Sequence, residues 1–203
     1  MSAKIYKGDL PSNVSFSGSV AIDTETLGLR PHRDRLCVVQ LSGGDGKACL
    51  VQMPRGGYDA PRLRALLADS NVLKIFHFAR FDVAMLLHYL GVMTEPVYCT
   101  KIASKLARTY TDRHGLKDLC RELLDVDLSK QQQSSDWGAD RLSDEQRAYA
   151  ASDVLYLHAL KERLDAMLAR EERTDIAQAC FEFIPTRVRL DLAGWQDEDI
   201  FAH

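Results

Sequence analysis

The sequence predicts an α/β domain with its strands early and its helices late, and three features predict it. Residues 20–23, 36–42 and 48–52 are short apolar runs, and Gly43-Gly44-Asp45-Gly46 separates the last two, so they read as an antiparallel meander. Residues 72–76 form a fourth, fully buried run between two helical stretches. After Pro96 the pattern is helical almost throughout, which supplies the layers that cover the sheet.

Taken in order, Pro61 opens a helix through Leu67, because its fixed φ suits the first helical position, and Asn71 breaks the pattern before the strand at 72–76. The next helix carries Asp82 and ends near Gly91. Residues 116–124 and 145 to about 170 are the clearest amphipathic stretches. Ser143 and Gln146 have capping-box spacing, so the long helix starts there and holds Tyr149 and Asp153 in its first turns. Lys130-Gln-Gln-Gln-Ser-Ser-Asp is the nearest thing to a linker. Pro185 is expected to end the regular part, giving one domain over residues 1–185 and a tail, 186–203, that must pack on something.

An apolar fraction of 46% with 27% charge describes a globular chain that can bury a full core. The N-terminus has no apolar signal-peptide segment and no run reaches the length of a membrane span, so a cytoplasmic protein without membrane association is expected. Five cysteines, odd in number and without a CxxC pair, sit mostly in apolar segments and read as reduced core thiols, with neither disulfides nor zinc. A net charge of −3 argues against coating long nucleic acid, which needs many cationic contacts to phosphate. A short nucleic acid stays compatible. From Lys101 to Arg121 six basic residues stand against two acidic ones, a run that reads first as a solvated helix face.

The chemistry concentrates in five residues. Asp23 and Glu25, two apart on a strand, project from one face while Thr24 faces the other way. Tyr149 and Asp153, four apart on a helix, share a face, and Asp82 arrives from a second helix. Each carboxylate lies beside an apolar run, and burying one without a cation or donor costs several kcal/mol. A pair of hard divalent cations would offset that cost. Any one of these acids alone would more often be incidental; the conjunction is what points to a site.

The words around them, Ala-Ile-Asp-Thr-Glu-Thr, His-Phe-Ala-Arg-Phe-Asp, His-Gly-Leu-Lys-Asp-Leu-Cys, Ser-Asp-Trp and Tyr-Ala-Ala-Ser-Asp-Val-Leu-Tyr-Leu, resemble the DEDDy branch of the 3′-5′ exoribonucleases, and ribonuclease D most of all. The resemblance covers residues 20 to 160. It implies a ribonuclease-H-like (DnaQ-like) fold with a mixed five-stranded sheet flanked by helices, and catalysis by two divalent cations, Mg²⁺ or Mn²⁺. By the same analogy Asp23 bridges both ions, Glu25 and Asp153 hold the one bearing the nucleophilic water, and Asp82 holds the second through water. Tyr149 orients that water, since a phenol with a pKa near 10 is a poor base at neutral pH. The sister branch places His four or five residues before the last Asp; here that position is Tyr149.

Further candidates each carry two readings. Leu27 and Gly28 follow the first motif where the relatives set an apolar wedge and a backbone amide against the terminal bases; they also suit a simple strand-ending turn. Thr24, His77 and Arg80 are candidate substrate contacts, the last two for a base or the scissile phosphate, although a strand-end His is often a satisfied polar group. Trp137, after Asp136, and His114 are expected to be structural.

Ribonuclease D continues into helical modules that grip long RNA, and the expectation is that this chain, ending at His203, has no room for them. That narrows the resemblance to short single-domain DEDDy proteins of the nanoRNase C type, ring-like homo-oligomers whose tail resembles the ending Phe-Ile-Pro-Thr-Arg-Val-Arg-Leu-Asp-Leu-Ala-Gly-Trp. The function implied is hydrolysis of short single-stranded RNA, down to dinucleotides, to 5′-mononucleotides by a homo-oligomer. The alternatives are ribonuclease D-like trimming of tRNA or other longer RNA 3′ ends, a single-stranded DNA exonuclease, and a non-catalytic nucleic-acid-binding scaffold.

Overall fold

A computed structural model describes residues 3–129, 131–132 and 134–203. Lys130 and Gln133, in the linker-like stretch, and the first two residues lie outside that range. The meander forms as predicted: β2 (Ser19–Thr26), β3 (Leu36–Ser42) and β4 (Ala48–Gln52) pair antiparallel in sequence order. Gly44 and Gly46, at φ 81° and 77°, give the β3–β4 turn the left-handed backbone that a side chain would resist.

The sheet has six strands where five were expected. β1 (Ala3–Lys7) pairs parallel with β4 at one edge, and β5 (Leu73–Phe76) joins β2 while the three-residue β6 (Val97–Cys99) joins β5, both parallel. The order is β1-β4-β3-β2-β5-β6, a mixed sheet. Neither β1 nor β6 is marked by an apolar run of ordinary strand length: β1, on an edge, buries no residue fully, and the three-residue β6 is fixed by its partner.

Among the described residues seven α-helices accompany the sheet: α1 (Pro61–Ala68), α2 (Ala79–Leu90), α3 (Thr100–Ala107), α4 (Leu116–Leu124), α5 (Asp144–Leu155), α6 (Leu157–Arg170) and α7 (Thr174–Leu190). The predicted capping box is present, with Gln146 N donating to Ser143 Oγ at 3.2 Å and Ser143 N donating to Gln146 Oε1 at 2.9 Å. Gly91 ends α2 with φ 64°, as a left-handed C-cap.

Two boundaries differ from expectation. The helix foreseen from 145 to about 170 is two helices, breaking at Tyr156, where neither Gly nor Pro marks the sequence. Pro185 does not end the regular structure: α7 runs through it to Leu190, and a π-helical turn, Asp191–Trp195, follows. Buried Ala177, Phe181, Ile184 and Val188 form a stripe on both sides of the proline, and burying that stripe outweighs one missing N–H. Cys37, Cys99 and Cys120 are buried, but Cys180 is exposed on α7. Among the described residues no helix is long and apolar enough to cross a membrane.

Most of the core is one large cluster between the sheet and its helices; a smaller one joins Cys37, Val38 and Leu50 of the sheet to Trp137, Leu142 and Ala150. Through the latter, α5 lies against β1 to β4, which brings Tyr149 and Asp153 to the catalytic candidates on β2.

Candidate active site

The strand pattern sets Asp23 and Glu25 on one side of β2, and the register shifts at Glu25/Thr26, an irregularity that re-aims side chains just beyond the pair. From α5, Asp153 meets them: carboxylate oxygens of Asp23, Glu25 and Asp153 all lie within 4.8 Å of one another. Asp82 enters from the first turn of α2, 3% exposed. Its Oδ1 accepts from Thr24 Oγ1 at 2.7 Å and Thr24 N at 3.1 Å. Thr24 thus anchors Asp82, and it lines the same cleft as Asp23 and Glu25.

The electrostatics follow from packing acids together in a partly closed cleft. Burial raises Asp23 to about 7. Burial, then the charges of Asp23, Asp153 and Asp82, raise Glu25 to about 10. Asp82 and Asp153 are raised well above the usual range by burial and then by Asp23, although the Thr24 and Tyr149 hydrogen bonds work the other way. Such a cluster favours protons or cations. An all-oxygen carboxylate set is what hard divalent ions such as Mg²⁺ and Mn²⁺ prefer, so the residues present fit a divalent metal centre.

Tyr149 lines the same cleft, one helical turn before Asp153. Its hydroxyl is pushed upward by burial and then by the charges of Asp153, Glu25 and Asp23, which suits a hydrogen-bonding group and not a base. Trp137, 1% exposed, packs its ring 6.0 Å from that of Tyr149, the supporting position expected of it. Gln146 adds a tie, donating from Nε2 to Asp136 O at 3.1 Å.

The remaining candidates divide. His77 lines the cleft, and its Nδ1 is hydrogen-bonded to Thr100 Oγ1 at 2.9 Å; burial, then Lys101, lower it to about 3, so the ring is neutral at working pH. His77 is thus a satisfied polar group whose ring also faces the cleft. Arg80 is committed elsewhere: it donates to both oxygens of Asp191 at 2.5 and 2.8 Å and to Gln196 O at 2.6 Å, tying α2 to the C-terminal segment. Leu27 is 51% exposed and lines a neighbouring cavity with Arg35, Arg55, Tyr58, Asp136 and Gly138. A Cβ on Gly28 would fall 2.3 Å from Asp34 Oδ2, so the turn after β2 needs glycine there for its own packing. His114 bonds Ser104 Oγ through Nδ1 at 2.9 Å, a structural contact.

Two residues escaped sequence reasoning. Gln40, fully buried on β3 opposite Asp23, donates Nε2 to Asp23 Oδ2 at 3.1 Å and approaches Glu25 Oε1 at 3.5 Å. A polar residue inside Leu-Cys-Val-Val-Gln-Leu-Ser was the available signal. Lys117, from the quoted His-Gly-Leu-Lys word, lines the cleft of about 300 Å³ with Gly115, Leu116, Leu128 and Ser129, and brings a cation to it.

Comparison with known proteins agrees with this geometry. The 3′-5′ exonuclease family matches residues 8–169. Ribonuclease D of Gluconacetobacter diazotrophicus is 36% identical over 156 residues, 77% of this chain but 39% of that protein, so the chain spans about two fifths of the length of the curated relative. Two solved structures of Brucella melitensis NrnC superpose over the whole chain. One, with bound Mg²⁺, is 59% identical with a TM-score of 0.95 and full coverage of both chains. The other, bound to pGG, is 60% identical with a TM-score of 0.96, covering 100% of this chain and 99% of that one. The mixed sheet flanked by helices is a ribonuclease-H-like α/β fold, and the chain belongs to the 3′-5′ exonuclease family, in its DEDDy, ribonuclease D-like branch.

Proposed function

We propose that this protein is a two-metal-dependent 3′-5′ exoribonuclease that hydrolyses short oligoribonucleotides, down to dinucleotides, and releases 5′-mononucleotides. The observation that carries the reading is the convergence of Asp23, Glu25 and Asp153 within 4.8 Å, with Asp82 fixed beside them by Thr24. Asp23, Glu25 and Asp153 would hold one cation, and Asp23 with Asp82 the other. When bound, such a pair supplies an activated water, charge neutralisation at phosphorus and stabilisation of the leaving 3′-oxygen.

The chain's own residues do the rest. The Tyr149 hydroxyl keeps its proton and orients the attacking water, with Trp137 bracing the ring. Gln40 holds Asp23 in place. His77, uncharged, offers the cleft wall to the substrate without attracting phosphate by charge. Leu27, exposed beside the cleft, suits the wedge against a terminal base.

The short-substrate part draws on the acidic net charge and on the likeness to a protein solved with pGG. A homo-oligomer belongs to the same reading: Phe183, Trp195, Ile200 and Phe201 of α7 and the residues after it are exposed apolar side chains of the kind that oligomer interfaces cover. So does a reducing, cytoplasmic setting, which suits the free thiol of Cys180. The test is a length series of 5′-labelled RNAs from two to about seven nucleotides, with a matched DNA. Turnover that falls as the RNA lengthens supports the reading; turnover that climbs with length supports the ribonuclease D-like trimming role, and preference for the DNA supports a deoxyribonuclease.

A further inference from the structure

Arg80, a candidate contact to a base or the scissile phosphate, is held by Asp191, yet the same turn offers another contact. Phe78 is the N-cap of α2 with a left-handed backbone, φ 73° and ψ 46°. That conformation is strained for a bulky residue and tends to persist where the side chain is needed in a particular direction. Here Phe78 is 45% exposed, whereas Phe76, two residues earlier, is fully buried. Lys101, in the first turn of α3, places Nζ 4.4 Å from the centroid of the Phe78 ring. His77, the residue between the buried strand and Phe78, lines the carboxylate cleft and bonds Thr100, the neighbour of Lys101. Cleft, His77, Phe78 and Lys101 are therefore contiguous along the ends of the parallel neighbours β2, β5 and β6.

We propose that Phe78 and Lys101 form a nucleotide subsite, in which a base of the substrate stacks on the exposed ring and the ammonium contacts a phosphate. An aromatic face with a cation fixed against it is the combination by which single strands are gripped without regard to sequence. It also gives part of the basic run from Lys101 to Arg121 a task in an acidic protein. The subsite rests on the proposed nuclease reading and adds to it a pair of residues outside the metal cluster.

The test uses Phe78→Asn, because Asn tolerates the left-handed backbone, and Lys101→Met, which keeps the aliphatic stem. KM and kcat on a 5′-labelled diribonucleotide, and equilibrium binding of the same RNA in chelator, are compared with wild type, with thermal melts to verify folding. Phe78→Asn should raise KM and weaken binding about tenfold, with the effect in KM and not in kcat. Lys101→Met should lower the slope of log KM against log salt by about 0.7. A folded Phe78→Asn with KM within twofold of wild type, or a Lys101→Met with unchanged salt slope, overturns the subsite and leaves the nuclease reading standing. Wild type that binds RNA through Phe78 without hydrolysing it overturns the nuclease reading and keeps the subsite. Wild type that does neither overturns both.

Discussion

Replacing Asp23 with Asn should stabilise the metal-free protein while abolishing its activity. Asp23 rises from 3.8 in the unfolded chain to about 7 in the fold, so ionising it in place works against folding. A shift near three units corresponds to about 4 kcal/mol. The carboxyl opens on the cleft, so roughly half of that, about 2 kcal/mol, is the expected gain on removing the charge. The substitution keeps shape and leaves Gln40 an acceptor for its Nε2, now 3.1 Å from Asp23 Oδ2. For a domain of this size about 2 kcal/mol moves Tm by roughly 4–8 °C. The sign follows from linkage: because the folded pKa lies above the unfolded one, the penalty is absent below about pH 4, grows through the interval up to 7 and is full above it. Thermal melts in chelator at pH 4 and pH 8 should show Asp23→Asn level with wild type at the first and more stable at the second. An Asp23→Asn protein no more stable than wild type at pH 8 would refute the reasoning that these carboxylates sit together at an energetic cost.

Other outcomes follow from the same geometry. Asp153→Ala should abolish hydrolysis through loss of metal, read as a loss of the Mn²⁺-induced rise in Tm; Tyr149→Phe should keep that rise and slow kcat by about 10²-fold. Gln40→Leu removes the donor to Asp23 and should raise the half-saturating Mn²⁺ concentration several-fold in a hydrolysis titration, with little change in KM for RNA. Ser143→Ala breaks the capping box of the helix that carries Tyr149 and Asp153, costing about 1 kcal/mol or some 2–4 °C in a melt. Arg80→Gln should lower Tm by a few degrees without raising KM, because its partner is Asp191 and not substrate; an unchanged Tm with a raised KM would return it to the cleft.

What was legible in the sequence was local. The β2 to β4 meander announced itself through apolar runs and a glycine turn, and α5 through Ser143 and Gln146, because those signals are satisfied within a few residues. β1 and β6 exist only through partners distant in sequence, and the break at Tyr156 and the passage of α7 through Pro185 are decided by packing. The site divides in the same way. Two-residue and four-residue spacings put Asp23 with Glu25 and Tyr149 with Asp153, and the flanking words supplied Asp82. Gln40 depended on the register of β3 against β2, and Arg80's partner lies 111 residues away, beyond any spacing argument.

The central claim is that phosphodiester hydrolysis takes place at the Asp23, Glu25, Asp82 and Asp153 cluster and depends on divalent cations held there. It is tested most directly by following release of 5′-mononucleotide from a 5′-labelled diribonucleotide as Mn²⁺ is titrated into chelator-treated protein. The account predicts no release in chelator and a rate that rises to saturation with the cation. Hydrolysis that persists in chelator, or none at saturating Mn²⁺, would contradict it.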